Sequence, residues 1–437
     1  MNIKFLYGRD EIGLAVPDDS IVYNSKFPEP EKSDSATVLE SVRKPAGSKS
    51  LVELLKVRTK GKVAIAVSDI TRPIPYSRFL PELLGEIESA KIAKNDIVII
   101  IATGMHRPST KEERLEMFGK SIVENYGIID HMAEEESGLV ELPGKSWSGG
   151  KVKINRAFAE AGFKITTGLV EPHFMAGFSG GRKAVCPGLS SLETVRKFHG
   201  YEFLSNPRAC NGNLEGNPCH LESLSIAKLA GVDFSVNVVL NNERKLVRAF
   251  SGALEEAHSA ACSFVSGCSC PKVGTEADIA VTSCGGYPLD ATFYQCVKGM
   301  VSCMPAVRKD GIIIAFGSCL EGTGSPEYQA TMEEYSGRWR EFIADIRNPA
   351  VFIKDQWQLQ MQARVLEKIG QDKLYFATHG IPAKKLAGLS VSGISANQKD
   401  IEKSVRKIFE SSFKKGMKVA VFPEGPYCAV ISKGKTK

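Results

Sequence analysis

Short apolar runs rich in valine and isoleucine recur along the chain, separated by amphipathic segments. Runs of this length and composition are typical of strands that are buried on both faces of a sheet. The intervening segments have helical spacing, for example at 77–92 and 328–346. The alternation predicts an α/β protein with mainly parallel sheets. The predicted strands are 62–67, 96–104, 163–170, 232–240, 277–283, 311–316, 373–380 and 418–425.

The length of 437 residues exceeds what one compact core usually holds, so we expect two or three domains. A stretch rich in Ser, Gly, Cys and Pro at 262–275 lies between a predicted helix and a predicted strand. It is the predicted boundary. We expect an N-terminal α/β domain over 1–270 and a C-terminal α/β domain over 271–437, with the active site in the cleft between them.

Charge and hydropathy exclude several classes of protein. The net charge of +6 is mild and its basic residues are interspersed with acidic ones, which argues against nucleic-acid binding. The basic runs at 414–415 and 433–437 are interpreted as solvated. Charged residues at 9–11 occupy the place of a signal-peptide core, and the apolar run at 97–102 is far shorter than the ~20 residues of a membrane span.

The eleven cysteines are an odd number and lie partly in apolar stretches, which predicts reduced thiols and a cytoplasmic protein. Cys262, Cys268 and Cys270 are clustered, but no CxxC pair occurs elsewhere to complete a zinc site. Zinc binding there is therefore a minor alternative, and the role of the three thiols stays open.

Polar residues follow the predicted strands, where ligands of open α/β sheets bind. Asp69, Thr71 and Arg72 follow the first predicted strand, and His106 follows the second. Arg72 could bind a carboxylate or phosphate through its two-pronged guanidinium, or could simply pair with Asp69. His106 could act as a general acid or base, or could be a structural histidine.

The segment "EPHFMAGFSGGRKAVCPG" at 171–188 combines a histidine, a glycine pair and a lysine. Gly180 and Gly181 precede a possible helix, so their N–H groups could approach an anion, although the spacing is not that of a P-loop. Lys183 could neutralise a phosphate or act as an amine nucleophile. Each residue also has a structural interpretation, with His173 as a loop histidine, the glycines as a turn and Lys183 as a solvated side chain.

The stretch at 190–200 predicts a short helix, with Ser190 and Glu193 as a capping box and Gly200 as a left-handed stop. His199 would lie in its last turn. Imidazole binds nickel, copper or zinc well, but one histidine is a poor metal site. Further donors would have to come from elsewhere, such as a cofactor.

A second helix is predicted to begin near residue 290. Tyr294 and Lys298 are four residues apart and share a face, with Gln295 beside them. These side chains would suit a polar, anionic substrate, although a solvated helix face is an equal alternative.

Taken together, these motifs resemble the nickel-pincer lactate racemase family. The matching segments are "SDITRPIP" (68–75), "TGMHRP" (103–108), "EPHFMAGFSGGRK" (171–183) followed by "PG" (187–188), "KFHG" (197–200) and "YQCVKG" (294–299). They run through most of the chain and both predicted domains.

The resemblance implies nickel held by a nickel-pincer nucleotide, pyridinium-3-thioamide-5-thiocarboxylic acid mononucleotide. By this resemblance, the cofactor is attached to Lys183 as a thioamide, and His199 completes the nickel site. The resemblance also implies cofactor contacts from Gly180, Gly181, Asp69, Thr71 and Trp357. Proteins that make and insert the cofactor would be partners.

The resemblance further implies racemisation or epimerisation of a 2-hydroxy acid by hydride transfer through a 2-keto acid. His106 and His173 would be the two acid/base residues, and Asp69 would orient a base or Arg72. The expected substrate-binding residues are Arg72, Tyr294, Gln295 and Lys298.

The resemblance makes lactate the default substrate. Phe174, Met175 and Phe178 suggest an apolar wall, which favours a small or apolar side chain over a dicarboxylate. A first alternative is the same machinery acting on a larger 2-hydroxy acid, such as malate, an aromatic hydroxy acid or a sugar acid. A second is a metal-free transferase that binds phosphate or nucleotide. A third is a protein that stores or carries the cofactor without catalysis.

Overall fold

The computed structural model describes residues 1–58 and 60–432, so the basic run predicted at 433–437 lies outside the described residues. The strands are β1 (Asn2–Tyr7), β2 (Asp10–Ala15), β3 (Ile21–Val22), β4 (Val63–Ser68), β5 (Ile97–Ala102), β6 (Gly127–Asp130), β7 (Leu139–Glu141), β8 (Lys153–Asn155), β9 (Phe163–Leu169), β10 (Pro172–His173), β11 (Gly177–Phe178), β12 (Phe234–Leu240), β13 (Leu246–Gly252), β14 (Ala277–Ser283), β15 (Val307–Phe316), β16 (Leu374–Thr378), β17 (Ser392–Ser395) and β18 (Val419–Phe422). The α-helices are α1 (Asp34–Arg43), α2 (Leu51–Lys56), α3 (Tyr76–Ser89), α4 (Lys111–Phe118), α5 (Lys120–Asn125), α6 (Arg156–Ala159), α7 (Leu192–Phe198), α8 (Tyr201–Ser205), α9 (Pro218–Leu229), α10 (Leu254–Ser269), α11 (Phe293–Cys303), α12 (Pro326–Glu334), α13 (Trp339–Ile346), α14 (Gln356–Ile369), α15 (Ala383–Leu386) and α16 (Ile401–Ser412).

The chain forms two compact units. The N-terminal unit contains Phe27–Phe198 and Asn213–Val265, and the C-terminal unit contains Met1–Lys26, His199–Gly212 and the chain from Ser266 onward. The predicted first domain, 1–270, thus includes two segments that belong with the C-terminal unit. The physical reason is pairing across the sequence: β3 is a strand of the C-terminal sheet beside β18, and α8 packs on α14, where Gln360 Nε2 donates to Tyr201 O at 3.1 Å.

The N-terminal unit is built on a six-stranded sheet in the order β13-β12-β9-β4-β5-β6. Its strand pairs are parallel except that of β12 with β13. Ile65 and Val67 of β4 are fully buried and share a core with Phe79 and Leu83 of α3. Since β9, β4 and β5 are neighbours and parallel, the loops that follow them begin at the same edge of the sheet.

The C-terminal unit is built on a fully parallel sheet in the order β17-β16-β15-β14-β18-β3. The β1–β2 hairpin and α16 cover one of its faces, because Phe5 and Leu14 share a core with Val281 and Val405. Helices α11 and α14 pack beside it and carry Tyr294, Gln295, Lys298 and Trp357, whereas His199 lies between α7 and α8.

The predicted α/β class and its eight buried strands are confirmed. Two details of the expectation are wrong. The helical segment 328–346 is two helices, α12 and α13, because Gly337 adopts a φ of +68° between them. The sheet also has an antiparallel edge at β13, a strand that the apolar-run pattern did not detect because its burial is interrupted.

The caps predicted around α7 are also corrected. Ser191, not Ser190, occupies the start of the helix: its Oγ accepts from Thr194 N at 3.5 Å, whereas Ser190 Oγ donates to Val185 O at 2.9 Å. Gly200 has a φ of −73°, so it is not a left-handed stop; it is the N-cap residue of α8. His199 directly follows α7, and a new helix begins two residues later.

No helix among the residues that the structure describes has both the length and the apolar character required to cross a bilayer.

Candidate functional site

A carboxylate–histidine pair joins the loops after β4 and β5. Asp69, 7% exposed, lies 2.6 Å through Oδ2 from Nδ1 of His106, whose side chain is 59% exposed. Because a carboxylate can only accept, the proton lies on Nδ1 and the Nε2 atom carries the lone pair in the neutral ring. The arrangement fixes the tautomer of His106 as a base with an exposed Nε2.

The Asp69 carboxylate is stabilised by its neighbours. Thr71 Oγ1 donates to Asp69 Oδ1 at 2.6 Å. Burial by itself raises the pKa of Asp69, but the hydrogen bonds from His106 and Thr71 and the positive charge of Arg72 outweigh it and lower the pKa below its ordinary value. Asp69 therefore stays ionised and supports a proton on His106.

Arg72 does not pair with Asp69 through its side chain. Its Nη1 lies 3.6 Å from Glu171 Oε1, and both side chains are about one third exposed. This pair connects the loop after β4 to the start of the segment after β9. The guanidinium is thus accessible at the edge of the sheet, where a substrate carboxylate could compete with Glu171.

His173 lies in the short β10–β11 hairpin and is 8% exposed. Its Nδ1 accepts from the backbone N–H groups of Met175 and Ala176, each at 3.2 Å. Since Nδ1 is occupied as an acceptor, the neutral ring carries its proton on Nε2. That atom lies 3.4 Å from Nζ of Lys183.

The glycine pair forms a tightly packed turn that leads into a 3-10 helix over Gly181–Ala184. Gly180 and Gly181 have φ values of +77° and +50°, and a Cβ at Gly180 would lie 2.6 Å from Cγ2 of Val170. Gly181 N–H donates to Oδ1 of Asn237 at 2.8 Å. The glycines are therefore required by packing and backbone conformation, and the Gly181 N–H predicted to approach an anion is committed to Asn237.

Arg182 is a buried cation beside the lysine. It is 1% exposed, its Nη2 donates to the carbonyls of Ala176 and Phe178 at 2.8 and 3.1 Å, and its Nη1 lies 2.7 Å from Nε2 of His258. No carboxylate pairs with Arg182 within the described ranges, and its Nε has no hydrogen-bond partner there. Sequence reasoning did not identify Arg182. The feature that could have revealed it is its position between the glycine pair and Lys183.

Lys183 is partly exposed. Removal of water around the amine, aided by the positive charges of Arg72 and Arg182, lowers its pKa to about 7. A substantial fraction of the amine is thus in its uncharged, nucleophilic form near neutral pH.

The C-terminal unit presents a second group of predicted residues. The imidazole of His199 stacks on the indole of Trp357, with ring centroids 4.4 Å apart. Trp357 Nε1 donates to Tyr294 Oη at 2.8 Å, and Gln358 Nε2 donates to the carbonyl of Tyr294. Trp357 is therefore part of the support for a histidine and a tyrosine.

Helix α11 begins where the sequence predicts. Thr292 is its N-cap, with Oγ1 accepting from Gln295 N at 3.3 Å. Tyr294, Gln295 and Lys298 are half-buried, so the alternative of a fully solvated face does not hold. Buried Gln295 Oε1 has no hydrogen-bond partner among the described residues, as expected of a group that binds a ligand.

The structure thus groups the predicted residues by unit. Two sets in the N-terminal unit and one in the C-terminal unit include every predicted residue: Asp69, Thr71, Arg72 and His106; His173, Gly180, Gly181 and Lys183; and His199, Tyr294, Gln295, Lys298 and Trp357. Glu171, Arg182 and His258 are additions that sequence reasoning did not identify. Within the described part of the chain, no three His, Cys, Asp or Glu side chains form a metal-binding cluster; the zinc alternative at Cys262, Cys268 and Cys270 is therefore not supported.

Family models match both halves of the chain: the Lactate racemase N-terminal domain over residues 7–212 and the Lactate racemase C-terminal domain over 273–431. Lactate racemase of Thermoanaerobacterium thermosaccharolyticum is 37% identical over 84% of this chain and 86% of its own length. Lactate racemase of Lactiplantibacillus plantarum is 39% identical over 76% of this chain and 78% of its own.

Solved structures agree with these matches. The lactate racemase apoprotein from T. thermosaccharolyticum has a TM-score of 0.87 at 33% identity, covering 99% of this chain and 100% of the other. A protein from Thermotoga maritima, 18% identical, has a TM-score of 0.64 over 89% of this chain and all of its own, which shows a shared fold. Both halves of the sequence and the whole fold therefore place this chain in the lactate racemase family, a family of isomerases.

Proposed function

We propose that the protein racemises a 2-hydroxy acid, with lactate as the default substrate, by reversible hydride transfer from C2 through a 2-keto acid. The single observation that carries this proposal is the set in the N-terminal unit: two histidines of defined tautomer and, beside one of them, a lysine whose pKa is lowered. The two lactate racemases that are 37% and 39% identical to the chain support the choice of substrate.

His106 is assigned as one acid/base residue. Its Nε2 lone pair takes the hydroxyl proton of one enantiomer, and the Asp69 carboxylate on Nδ1 stabilises the imidazolium that results. When the reaction runs the other way, the same atom returns the proton. Asp69 is a positioning residue that acts through His106.

His173 is assigned as the other acid/base residue. The second enantiomer presents its hydroxyl on the opposite side of C2, so racemisation needs a second acid/base group, and the Nε2–H of His173 is available as the proton donor. Rigid anchoring of the ring by two backbone N–H groups holds Nε2 in place, which favours a well-oriented proton transfer.

The residues fit the nickel-pincer nucleotide. Lys183 would supply an amine of lowered pKa for a covalent link, and His199 would supply one imidazole ligand for nickel while Trp357 supports its ring. A single protein ligand is consistent with a metal whose remaining donors come from the cofactor. When bound, this group would accept a hydride from C2 and return it to either face of the keto acid.

Arg72, Tyr294, Gln295 and Lys298 are assigned to the substrate. Arg72 would bind the carboxylate in place of Glu171, and the buried Gln295 amide and Lys298 would hold the oxygen that becomes the keto group. Phe174, Met175 and Phe178 are all buried in the same hairpin region, which supports an apolar surrounding for a small side chain.

A chiral assay of cofactor-loaded protein with L-lactate in D2O tests the proposal. Racemisation with the original hydrogen retained at C2 is expected, because a hydride returned internally does not exchange with solvent. Deuterium at C2 would contradict hydride transfer and indicate proton abstraction. Absence of racemisation with lactate would contradict the default substrate, and malate, phenyllactate and sugar acids would be assayed next.

We also propose that the protein works in the cytoplasm together with proteins that make and insert the cofactor. All eleven cysteines are free thiols, which suits a reducing compartment.

A further inference from the structure

The amine of Lys183 has unusual neighbours. Nζ lies 3.4 Å from His173 Nε2 and 5.1 Å from the ring centroid of Phe198. No carboxylate pairs with it in the part of the chain that the structure describes. The titratable and charged groups that act on it are Arg72 from the loop after β4, His173 from β10, Cys219 from α9, and Arg182 and Cys186 from its own segment.

The positive charge of Arg182, the residue before Lys183, is not paired with a carboxylate among the described residues. Arg182 is enclosed by backbone carbonyls and by His258, and burial together with the Arg182 charge holds the pKa of His258 well below its ordinary value. His258 is therefore neutral and cannot cancel the guanidinium charge. A buried charge without a counterion acts strongly on its neighbours, and it disfavours a second cation at Lys183.

The tautomer of His173 leads to the same conclusion independently. Two backbone N–H groups donate to Nδ1, so Nε2 of the neutral ring carries the proton. That N–H group faces Nζ of Lys183. An ammonium group has no lone pair to accept it, whereas an uncharged amine has one.

We propose that His173 has a role before substrate binds: with Lys183 it forms an N–H···N pair that presents an uncharged amine as the nucleophile for a thiocarboxyl carbon of the cofactor. The inference rests on the proposed function, in which Lys183 is the attachment site. In the attachment step, the amine nitrogen forms a bond to the thiocarboxyl carbon, whose bond to oxygen breaks. The oxygen leaves as water with two protons, and one proton remains on the thioamide nitrogen.

Attachment of the cofactor to Lys183 then breaks the hydrogen bond between Lys183 and His173. A thioamide nitrogen donates through N–H and has no basic lone pair, so it cannot accept from His173. His173 Nε2 is released from Lys183 and turns to the hydroxyl group of the substrate. One histidine thus serves two successive steps, and it enters the second only in chains that carry the cofactor.

Competitive acetylation of the full-length, unloaded chain with trace acetic anhydride measures the reactivity of Lys183. Peptide mass spectrometry compares Lys183 with the exposed Lys403, and Lys183→Arg identifies the labelled peptide. At pH 7.5 we expect Lys183 to react about tenfold faster than Lys403, because an amine with a pKa near 7 is largely uncharged there. Equal rates and equal pH dependence at the two lysines would overturn the proposal.

A matched pair of variants tests the part played by His173. His173→Gln keeps an N–H donor of similar reach, and His173→Met has similar size without one. We expect the midpoint pH of Lys183 labelling to stay near the wild-type value in the Gln variant. In the Met variant it should rise by about half a unit to one unit, as for the loss of one hydrogen bond. Identical midpoints in the two variants would overturn the role of His173.

Arg72→Gln tests the part played by charge without disturbing the buried Arg182. Removal of the positive charge should raise the midpoint while His173 is intact, and an unchanged midpoint would contradict the electrostatic argument.

Nitrogen-15 NMR of histidine-labelled protein provides a direct readout of the tautomer. We expect the proton of His173 on Nε2 in the unmodified chain, and a proton on Nδ1 would overturn the pair. These measurements need no loaded enzyme. Reactive Lys183 in a chain that fails to racemise would refute the proposed function alone, and unreactive Lys183 in a chain that racemises would refute this inference alone.

Discussion

The two histidines assigned to acid/base roles, His106 and His173, are held in opposite ways. His106 is largely exposed and donates from Nδ1 to the ionised Asp69, so its Nε2 is a proton acceptor. His173 is buried and accepts at Nδ1 from two backbone N–H groups, so its Nε2 is a proton donor. The two catalytic candidates therefore differ in charge environment and tautomer in the unloaded chain.

This difference shows that a symmetrical reaction does not require symmetrical surroundings. A carboxylate partner stabilises an imidazolium, whereas backbone N–H groups at Nδ1 oppose one. In the proposed mechanism, His106 can accept a proton from substrate directly, while His173 must first lose its contact with Lys183. Four predictions test the comparison.

The largest effect is expected from removal of either ring. His106→Ala and His173→Ala in loaded protein should each reduce lactate racemisation by roughly 10²- to 10⁴-fold, the usual contribution of a general acid or base. Chiral chromatography of the product measures the loss. The rate of Lys183 acetylation in the unloaded chain should distinguish the two variants. It should change in His173→Ala and stay at the wild-type value in His106→Ala. Equal labelling in both would break the comparison.

Asp69→Asn should have the next largest effect. An amide can donate to Nδ1 and so favour the wrong tautomer of His106, and we expect a loss of roughly 10- to 10³-fold in racemisation. Preserved activity with an unchanged pH–rate profile would remove Asp69 from the mechanism.

Thr71→Val should have a smaller effect. It deletes one of two side-chain hydrogen bonds to Asp69 while conserving shape, so a decrease of about two- to tenfold in kcat/KM is expected. Thr71→Ser, which keeps the hydroxyl, is the matched control and should remain near the wild-type rate. A Val variant as active as the Ser variant would show that His106 alone suffices to orient the carboxylate.

The smallest effect on activity is expected at two histidines that have no assigned role in the reaction, His131 and His220. His131 is buried and burial lowers its pKa, and burial likewise lowers the pKa of His220 to about 3. The folded chain therefore binds fewer protons at these two rings than the unfolded chain does below about pH 6.5. The free energy of unfolding should therefore fall as pH drops from about 6.5 towards 3, as measured by urea denaturation at several pH values.

His220→Gln should flatten that slope and leave racemisation near the wild-type rate. The pKa shift of Asp69 is that of an acid, so its stabilising contribution has a different pH window. Because its pKa is lowered in the folded chain, its contribution is complete above about pH 4, the ordinary unfolded value, and is lost as pH falls further. A slope unchanged in His220→Gln would show that this ring is protonated without unfolding.

The sequence predicted the architecture well, because buried parallel strands require continuous runs of apolar β-branched residues. Strands β4, β5, β9 and β14 lie within one or two residues of their predicted bounds. Strand β13 and the β1–β2 hairpin were missed because their burial alternates or is interrupted. The caps of α7 were misplaced because neighbouring serines are equivalent by spacing, and packing alone decided that Ser190 is buried against Val185.

The sequence by itself determined which residue types follow each strand, because strands and loops alternate in a fixed order along the chain. It therefore determined the candidate residues His106, His173, Lys183 and His199. Only the tertiary structure decided their chemical states. The hydrogen bond between Asp69 and His106, which joins two loops, sets the tautomer of His106. The fold of the β10–β11 hairpin sets that of His173, and burial with nearby positive charge lowers the pKa of Lys183. Those states depend on distance, burial and unpaired charge, such as that of Arg182, and such quantities exist only after the segments have been brought together.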